Sequence, residues 1–369
     1  MTEMPKGEAA ELIVRGAPPR RWPAEWEPHR ATWLSWPHNK ETWPAHLDQV
    51  EDAFCEMVRA IAPGETVEIN VADPQMADHV RARLVGAGVT EIDRIRFRGI
   101  STDDAWVRDH GGIFVAEETR PGREERVVLD FAYDAWGGKY PPWDQDARVA
   151  EQMAQVLRVR REVSPWVLEG GSIDGDGDGT ILTTRSCLLN SNRDRPGLDR
   201  SEAGMESLLK SEFGVSEVLW LEEGIAGDDT DGHIDDLTRF VAPRQVVTTV
   251  EANPSDANYG VLKANRERLE GMKDAKGRPL SVAELPMPPA IEGPFGRAPA
   301  SYANFYFCNS GVLMPVFGAD TDREAVAVME RLVADRPVIP IPSQNLVLGL
   351  GSVHCLTQQE PSLSWPRTE

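Results

Sequence analysis

The sequence contains little cysteine and no closely spaced cysteine pair. Its four cysteines, Cys55, Cys187, Cys308 and Cys355, are scattered over 369 residues without a CxxC motif. This spacing argues against a disulfide framework and against a cysteine-based zinc site. We expect the first three to be buried free thiols.

Long apolar runs are missing, and basic side chains are outnumbered. No run of about eighteen apolar residues occurs, so we predict no membrane span, and the polar residues 1–21 do not look like a signal peptide. The 39 basic and 60 acidic side chains give a net charge of −21. Such a charge disfavours nucleic acid and anionic membranes as partners and attracts small cations. We expect a cytoplasmic protein.

What the chain does contain is a regular alternation of helical and β-like segments. Leu47–Ile61 carries one apolar face, and Asp73-Pro74 predicts the start of a second helix. Further amphipathic runs begin near Trp143, Ser201, Ser255 and Thr321, and β-like runs lie at 66–71, 94–100, 126–131, 180–184, 217–221, 245–250 and 338–341. The alternation predicts an α/β fold.

No long linker or charge block divides the chain. The Pro-rich residues 286–299 lie between β-like runs and predict a long surface loop. Apolar strands that run into glycine or polar side chains recur at intervals of roughly 50 to 75 residues, a spacing too irregular to establish repeats. We predict a polar N-terminal extension over residues 1–21 and a single catalytic domain over residues 22–369.

Cys355 differs from the other cysteines because it follows an apolar run and two glycines, where a backbone or ligand can approach closely. A thiol in that position is a candidate nucleophile. His233, which lies between Asp231 and Asp235, is a candidate partner. The alternative is an inert buried thiol, since free cysteines are among the most buried residues.

Two other tracts carry carboxylates. Residues 103–110 combine three carboxylates with Trp106 and an arginine, and taken alone they fit a solvated loop with local ion pairs. Glu169 follows an apolar strand and precedes two glycines, which is unfavourable unless the carboxylate is exposed or has a partner. A simple strand-end turn explains that second tract equally well.

The sequence contains two incomplete metal-binding patterns. Asp174 to Gly179 resembles the front half of a calcium loop, but the twelfth position is Arg185, where the loop needs a carboxylate. We therefore predict a glycine-rich turn between strands. His233 and its flanking aspartates could also serve a metal, but the seven histidines form no HxH or HxxH pair.

Taken together and in order, the polar tracts resemble the signature of the agmatine deiminases, which are grouped with the bacterial-type peptidylarginine deiminases. The resemblance lies in WVRD at 106–109, LEGGS at 168–172, DTDGHID at 229–235 and GSVHCLTQQEP at 351–361, and it extends to PAEWEP at 23–28, to 33–37, to AWGGK at 135–139, to PWDQD at 142–146 and to NFY at 304–306. It covers nearly the whole chain from about residue 22 onward.

This resemblance has implications for the fold, for cofactors and for the oligomeric state. The fold is a five-bladed α/β propeller (pentein) of ββαβ units with pseudo-fivefold symmetry and a central site. No metal or organic cofactor is required, the partner is a small cationic guanidine substrate, and a homo-oligomer is expected. The corresponding activity belongs to polyamine biosynthesis.

The resemblance also assigns the site residues. The catalytic residues are Cys355, His233, Glu169, Asp109 and Asp235, and the substrate-binding residues are Asp109, Asp235, Glu169, Trp106, Trp136 and Gly351. Carboxylates suit a guanidinium, which is planar, cationic and rich in N–H donors. Cys355 would attack the central carbon, His233 would transfer protons, and Glu169 would keep His233 protonated.

One consequence concerns the thiol. Three nearby carboxylates should raise the pKa of Cys355 above the ordinary value of about 8.5. Our hypothesis is that a bound cationic substrate offsets this effect and helps to generate the thiolate.

The chain departs from the family pattern at Ser352, Val353, Gly112, Leu350 and Asp231, where asparagine, isoleucine, proline, glycine and asparagine are usual. None of these changes removes an acid, a base or the nucleophile. Leu350, Ser352 and Asp231 are close enough in sequence to the site to affect rate or substrate preference.

The sequence thus predicts a hydrolase of linear amidine C–N bonds that converts agmatine to N-carbamoylputrescine and ammonia. An acidic tail pocket would favour agmatine over arginine, and Glu222, Glu223, Asp228, Asp229 and Asp231 are candidates for it. The alternatives are a deiminase of peptidyl or free arginine, a metal-dependent ureohydrolase and a non-catalytic polyamine-binding protein.

Overall fold

The structure is a computed structural model, and it describes residues 19–363. Most of the predicted N-terminal extension, residues 1–18, lies outside the described residues, as do residues 364–369 at the far end of the predicted domain. Arg20–Arg21, the end of that extension, forms a short strand that pairs antiparallel with Ala116 and Glu117. These two residues therefore belong to a sheet, while the remaining domain boundaries stay a prediction.

Nine helices and nineteen strands alternate over residues 19–363. The helices are α1 Leu47–Ile61, α2 Pro74–Gly86, α3 Val107–His110, α4 Ala135–Gly138, α5 Val149–Leu157, α6 Arg185–Leu188, α7 Glu202–Phe213, α8 Asn258–Leu269 and α9 Thr321–Leu332. The strands are β1 Arg20–Arg21, β2 His29–Ser35, β3 Thr66–Val71, β4 Ile95–Gly99, β5 Ile113–Arg120, β6 Arg123–Ala132, β7 Arg160–Val167, β8 Ile173–Gly175, β9 Thr180–Thr184, β10 Glu217–Leu221, β11 Thr238–Ala242, β12 Gln245–Val250, β13 Ser281–Pro286, β14 Ile291–Gly293, β15 Gly296–Ala298, β16 Tyr306–Cys308, β17 Gly311–Val316, β18 Val338–Pro342 and β19 Gln358–Pro361.

Five of the sheets repeat one pattern. In each, an antiparallel pair of strands is followed by a helix that crosses over to a third, parallel strand: β5-β6-α5-β7, β8-β9-α7-β10, β11-β12-α8-β13 and β16-β17-α9-β18. The fifth unit joins the two ends of the described chain, because β19 pairs antiparallel with β2, which continues through α1 to the parallel strand β3. Parallel neighbours need such crossovers.

The predicted α/β class with ββαβ units is confirmed. The arrangement of the five units about a common axis stays a prediction, although neighbouring units touch: β19 contacts β5, β8 contacts β11, and α1 packs against β17 and β18. In the described residues, no helix is long and apolar enough to cross a membrane.

The predicted helices and strands are largely observed. Asp73 caps α2 by accepting a hydrogen bond from the Met76 N–H at 2.8 Å, as its place before a proline indicated. The run near Trp143 becomes helical only at Val149, since 3₁₀ turns precede it. The prediction of a loop over residues 286–299 is wrong in part, because β14 and β15 form a hairpin there.

The repeat places the polar tracts in equivalent positions. Asp109, Glu169, His233, Asn304 and Cys355 each lie a few residues before the first strand of a different unit, namely β5, β8, β11, β16 and β19. The loose spacing of the tracts in the sequence therefore reflects one repeated location. Five different units supply one site.

Candidate active site

Cys355 lies in the turn before β19 and lines a cavity of about 720 Å³. The residue is 7 % exposed. The Asn304 Nδ2 amide donates a hydrogen bond to the Cys355 Sγ at 3.1 Å, and Asp235 Oδ2 lies 3.7 Å from the same sulfur. The thiol therefore faces both an amide donor and a carboxylate.

Asn304 also fixes the turn that carries Cys355. Its Oδ1 accepts a hydrogen bond from the His354 N–H at 3.0 Å and from the Ser352 hydroxyl at 2.9 Å. Ser352, one of the departures from the family pattern, thus contributes a contact of its own. Sequence reasoning placed Asn304 in a matching tract but gave it no role.

His233 is buried between two of the predicted carboxylates. Its Nδ1 lies 3.8 Å from Asp109 Oδ1, and its Nε2 lies 3.9 Å from Glu169 Oε2. Neither ring nitrogen has a hydrogen-bond partner within residues 19–363. Burial alone would lower the pKa of His233, but Asp109, Cys187 and Glu169 raise it well above its usual range. A protonated imidazole with free N–H groups is therefore the expected state.

Asp109 is held by two donors. The Gly171 N–H donates to Oδ1 at 3.0 Å, and the Trp136 indole N–H donates to Oδ2 at 3.1 Å. Trp136 itself has a left-handed backbone, with φ of 58°. The structure therefore gives this predicted substrate-binding residue a further task, which is to orient the Asp109 carboxylate.

Glu169 has a cationic partner that sequence reasoning missed. The Arg193 Nε lies 2.9 Å and 3.0 Å from the two Glu169 carboxylate oxygens, and both side chains are fully buried. Burial alone would raise the pKa of Glu169, but Arg193 and His233 lower it to about 2. Glu169 is thus an anion near neutral pH, as its predicted role beside His233 requires.

Asp235 is oriented by the residue that precedes the nucleophile. His354 Nδ1 lies 2.7 Å from Asp235 Oδ2, and His354 Nε2 lies 2.8 Å from Glu25 Oε2. Since both ring nitrogens are engaged, His354 is unavailable as the base for Cys355. Burial favours a protonated Asp235, but His354 brings the pKa of Asp235 below its usual range. Asp235 Oδ1 remains without a partner among the described residues.

The expected rise in the pKa of the thiol is present. Burial is its largest cause, followed by Asp235, Asp236 and Asp109, and together they raise the pKa of Cys355 well above its usual range. Asp236 was not among the three carboxylates expected from the sequence. Cys355 is therefore a thiol in the ligand-free protein near neutral pH.

Trp106 and Gly351, the other predicted substrate-binding residues, touch each other beside Cys355. Trp106 lines the cavity, and a Cβ placed on Gly351 would lie 2.5 Å from the Trp106 ring and 3.2 Å from the Cys355 Cβ. Leu350 has a left-handed φ of 73°, a conformation that glycine adopts more easily. This geometry explains why glycine is usual at position 350.

Asp231, another departure, is compensated by two cations. Its Oδ2 accepts from Arg193 Nη1 at 2.7 Å, and its Oδ1 accepts from Lys139 Nζ at 2.8 Å. Burial opposes ionisation, but bonds from Lys139, Asn192 and Arg193 bring the pKa of Asp231 below its usual range. The additional negative charge of Asp231 therefore forms salt bridges with Arg193 and Lys139.

Gly171 offers a test of this geometry. A Cβ at Gly171 would lie 2.6 Å from His233 Nδ1, 2.9 Å from Asp109 Oδ1 and 3.0 Å from Asp235 Oδ2. We expect Gly171→Ala to lower the rate of substrate turnover by about 100-fold, because displacements near 1 Å at a catalytic group have effects of that size. Gly260→Ala is the control, since a Cβ there meets no atom within 4 Å. Equal rates for the two variants would contradict the proposed arrangement.

Known proteins are similar to this chain in sequence and fold. Residues 21–361 match the family described as Porphyromonas-type peptidyl-arginine deiminase. The agmatine deiminase of Ectopseudomonas mendocina is 38% identical over 363 residues, which cover 92% of this chain and 95% of the relative.

Solved structures agree with this relationship. The agmatine deiminase of Enterococcus faecalis superposes with a TM-score of 0.85 at 33% identity, over 95% of this chain and 99% of that one. A substrate-bound agmatine deiminase of C. jejuni gives 0.83 at 27% identity, over 95% and 98% of the two chains. This chain therefore belongs to the family of the agmatine deiminases and the Porphyromonas-type peptidyl-arginine deiminases.

Proposed function

We propose that this protein is an agmatine deiminase, which hydrolyses agmatine to N-carbamoylputrescine and ammonia. The observation that carries the proposal is the convergence of one thiol, one buried imidazole and the carboxylates of Asp109, Glu169 and Asp235. Asp235 Oδ1, a buried carboxylate oxygen without a hydrogen-bond partner within residues 19–363, is an acceptor that requires a donor. A guanidinium supplies N–H donors and positive charge to such a site.

Binding is assigned to the carboxylates. Asp235 is ionised in the free protein, whereas burial raises the pKa of Asp109, with Asp235 and Glu169 adding to the rise and His233 opposing it. A bound guanidinium reverses that rise, because an opposite charge favours the ionised carboxylate. Asp109 and Asp235 would then clamp the group from two directions through charge-assisted hydrogen bonds.

The chemistry proceeds in two steps. On substrate binding the Cys355 thiol loses its proton to solvent, and the thiolate forms an S–C bond to the central carbon. His233 protonates the nitrogen whose C–N bond breaks, so that ammonia departs and a covalent S-alkylthiouronium remains on Cys355. Water, deprotonated by His233, then attacks the same carbon. The C–S bond breaks, the ureido product leaves, and Cys355 is regenerated.

Substrate binding and ionisation of Cys355 are coupled in this proposal. Because the thiol pKa is raised in the free enzyme, alkylation of Cys355 by iodoacetamide should accelerate only as pH rises above the usual thiol range. A small guanidinium ligand that leaves Cys355 accessible should shift the midpoint of that pH profile downward. A midpoint near or below neutrality without ligand would contradict the coupling.

The tail of the substrate is assigned to Asp229. Of the five acidic candidates from the sequence, Asp229 alone lines the cavity, where its Oδ2 accepts a hydrogen bond from the Tyr140 hydroxyl. Lys139 Nζ is bonded to the Asp229 carbonyl oxygen rather than to its carboxylate. Burial, the main cause, raises the pKa of Asp229 to about 6. The carboxylate is therefore largely anionic at neutral pH and can attract a primary ammonium.

The same cavity is poorly suited to arginine. Within residues 19–363 no arginine side chain lines it, and Lys139, one of its two lysines, is already bonded to Asp231. An α-carboxylate would instead meet acidic neighbours such as Asp104 and Asp229. Agmatine has no carboxylate, so it avoids this repulsion.

A substrate panel tests the assignment. We expect release of ammonia, not urea, from agmatine and much slower release from arginine or an arginyl peptide. Asp229→Asn should raise the KM for agmatine by about 10-fold, as loss of a charge-assisted contact of about 1.4 kcal/mol predicts. In the wild type, KM should rise as pH falls through about 6, because Asp229 then loses its charge.

Glu223→Gln is the matched control, because Glu223 is exposed in the same tract and lies outside the cavity lining. Faster turnover of arginine or of the peptide would establish the alternative deiminase. Urea as product would contradict deimination altogether. A homo-oligomer in the cytoplasm is proposed from the family resemblance, and light scattering on the purified protein tests the oligomer.

A further inference from the structure

A second cysteine lies beside His233. Cys187, in helix α6, is fully buried, as expected for a free thiol. Its Sγ, a ring nitrogen of His233 and a carboxylate oxygen of Glu169 all lie within 4.8 Å of one another. The proposed reaction gives Cys187 no task, although it contacts the cluster that transfers the proton.

These three side chains form a donor set that suits zinc. Zn²⁺ binds cysteine sulfur, histidine nitrogen and carboxylate oxygen at about 2.0–2.3 Å, in a tetrahedron with one position open to water when the protein supplies three ligands. The three donors come from separate segments: the turn after β7, helix α6 and the turn before β11. Small side-chain movements would bring them to bonding distance of one ion.

The hydrogen bonding of the cluster leaves room for such an ion. Neither ring nitrogen of His233 has a partner within the described residues, although its side chain is only 1 % exposed. The Glu169 oxygens accept from Arg193, but a carboxylate has about four lone-pair positions, so further coordination is open. The positive charge of Arg193 limits the affinity, which suits reversible binding.

We propose that Glu169, Cys187 and His233 form an inhibitory Zn²⁺ site in this enzyme. Binding displaces the thiol proton of Cys187 and the proton on the coordinating His233 nitrogen, both of which pass to solvent. An imidazole that holds the metal can no longer protonate the leaving ammonia, so occupation stops turnover. The inhibition rests on the proposed function of His233, whereas the binding of the metal does not.

The inhibition experiment compares two cysteine variants. Chelator-treated wild type, Cys187→Ala and Cys308→Ala are assayed for ammonia release over a range of buffered free Zn²⁺. The rate of each protein is expressed relative to its own rate without zinc, because Cys187 is a neighbour of His233. The inhibitory concentration should rise by more than about 10-fold for Cys187→Ala alone, since even the loss of an outer partner lowers metal affinity by about 10–100-fold. Cys308 is the control because it is equally buried but bonded to Ser310 and Gly311 instead.

A binding measurement separates this site from the nucleophile. Co²⁺ added to Cys355→Ala should give a thiolate-to-cobalt charge-transfer band, and zinc should abolish it. The band should be missing when Cys187→Ala, or Cys187→Ser as a closer substitute, is added to the Cys355→Ala protein. Thermal melting shows which of these proteins are folded. The readout needs no turnover, so it stands even where agmatine proves not to be the substrate.

The outcomes are unambiguous. A cobalt band that depends on Cys187 and persists without Cys355 supports the site. A band that disappears with Cys355, no band at all, or equal zinc sensitivity in wild type and both Cys187 variants overturns it. Zinc binding through Cys187 without any loss of ammonia release overturns the inhibitory role.

Discussion

Replacing Cys355 by alanine is expected to lower ammonia release from agmatine by roughly four orders of magnitude or more, because loss of a covalent nucleophile has effects of this size. The substitution removes one sulfur from a site whose carboxylates are held by other partners. Agmatine binding, measured by calorimetry, should therefore change little. The combination of lost turnover and retained binding is the signature of a nucleophile.

Cys308→Ala provides the comparison, since it removes a buried thiol that does not line the cavity. Its rate should stay near that of the wild type. Acid quenching of wild type during turnover should trap a covalent adduct, and proteolysis followed by mass spectrometry should locate that adduct on Cys355. Turnover by Cys355→Ala within about 10-fold of wild type would refute the covalent route.

Replacing His233 by glutamine is expected to lower the rate by about 10²–10⁴-fold, the range typical of general acid–base catalysis. Glutamine keeps a polar side chain but holds no transferable proton, so both departure of ammonia and activation of water should slow. The pH dependence should change as well. The titration of His233, which the structure places well above the usual histidine range, should vanish from the rate profile.

His38→Gln is the matched variant, because His38 lines the same cavity but its Nδ1 is hydrogen-bonded to the Trp36 carbonyl oxygen at 3.0 Å. It should have a rate close to that of wild type. If both histidine variants retain activity, the proton is transferred by another group. If His233→Gln only raises KM, the residue binds substrate rather than transferring protons.

Local sequence patterns predicted many of the individual helices and strands. Thr66–Val71, Thr180–Thr184 and Gln245–Val250 are strands with the predicted boundaries, because β-rich runs between turn residues leave little ambiguity. The ββαβ repeat could not be obtained from periodicity alone. It depends on which strands pair across the sheet, and the pairing of β19 with β2 joins segments from opposite ends of the described chain.

The candidate site, like the fold, could be predicted only in part. The family resemblance predicted Cys355, His233 and the carboxylates, whereas the residue types alone also allowed an inert thiol, a solvated loop around Asp109 and a simple turn at Glu169. It did not predict their partners. Arg193 resembles any other arginine until its Nε is found on Glu169, and Cys187 resembles any buried thiol until it is found beside His233. Such residues matter because of the side chains they contact in the folded protein, and a single sequence does not show those contacts.

The position of Cys355 just before β19 has a consequence for biosynthesis. During synthesis the acids and His233 emerge from the ribosome early, whereas Cys355 emerges near the end of the chain. The turn that carries Cys355 is held in place only after β19 has been made and has paired with the free edge of β2. Closing so long a loop is slow compared with folding of the local units. Termination upstream of Cys355 therefore yields a protein that lacks both its reactive sulfur and the β19–β2 pairing of its fifth sheet, and that exposes an unpaired strand edge prone to aggregation.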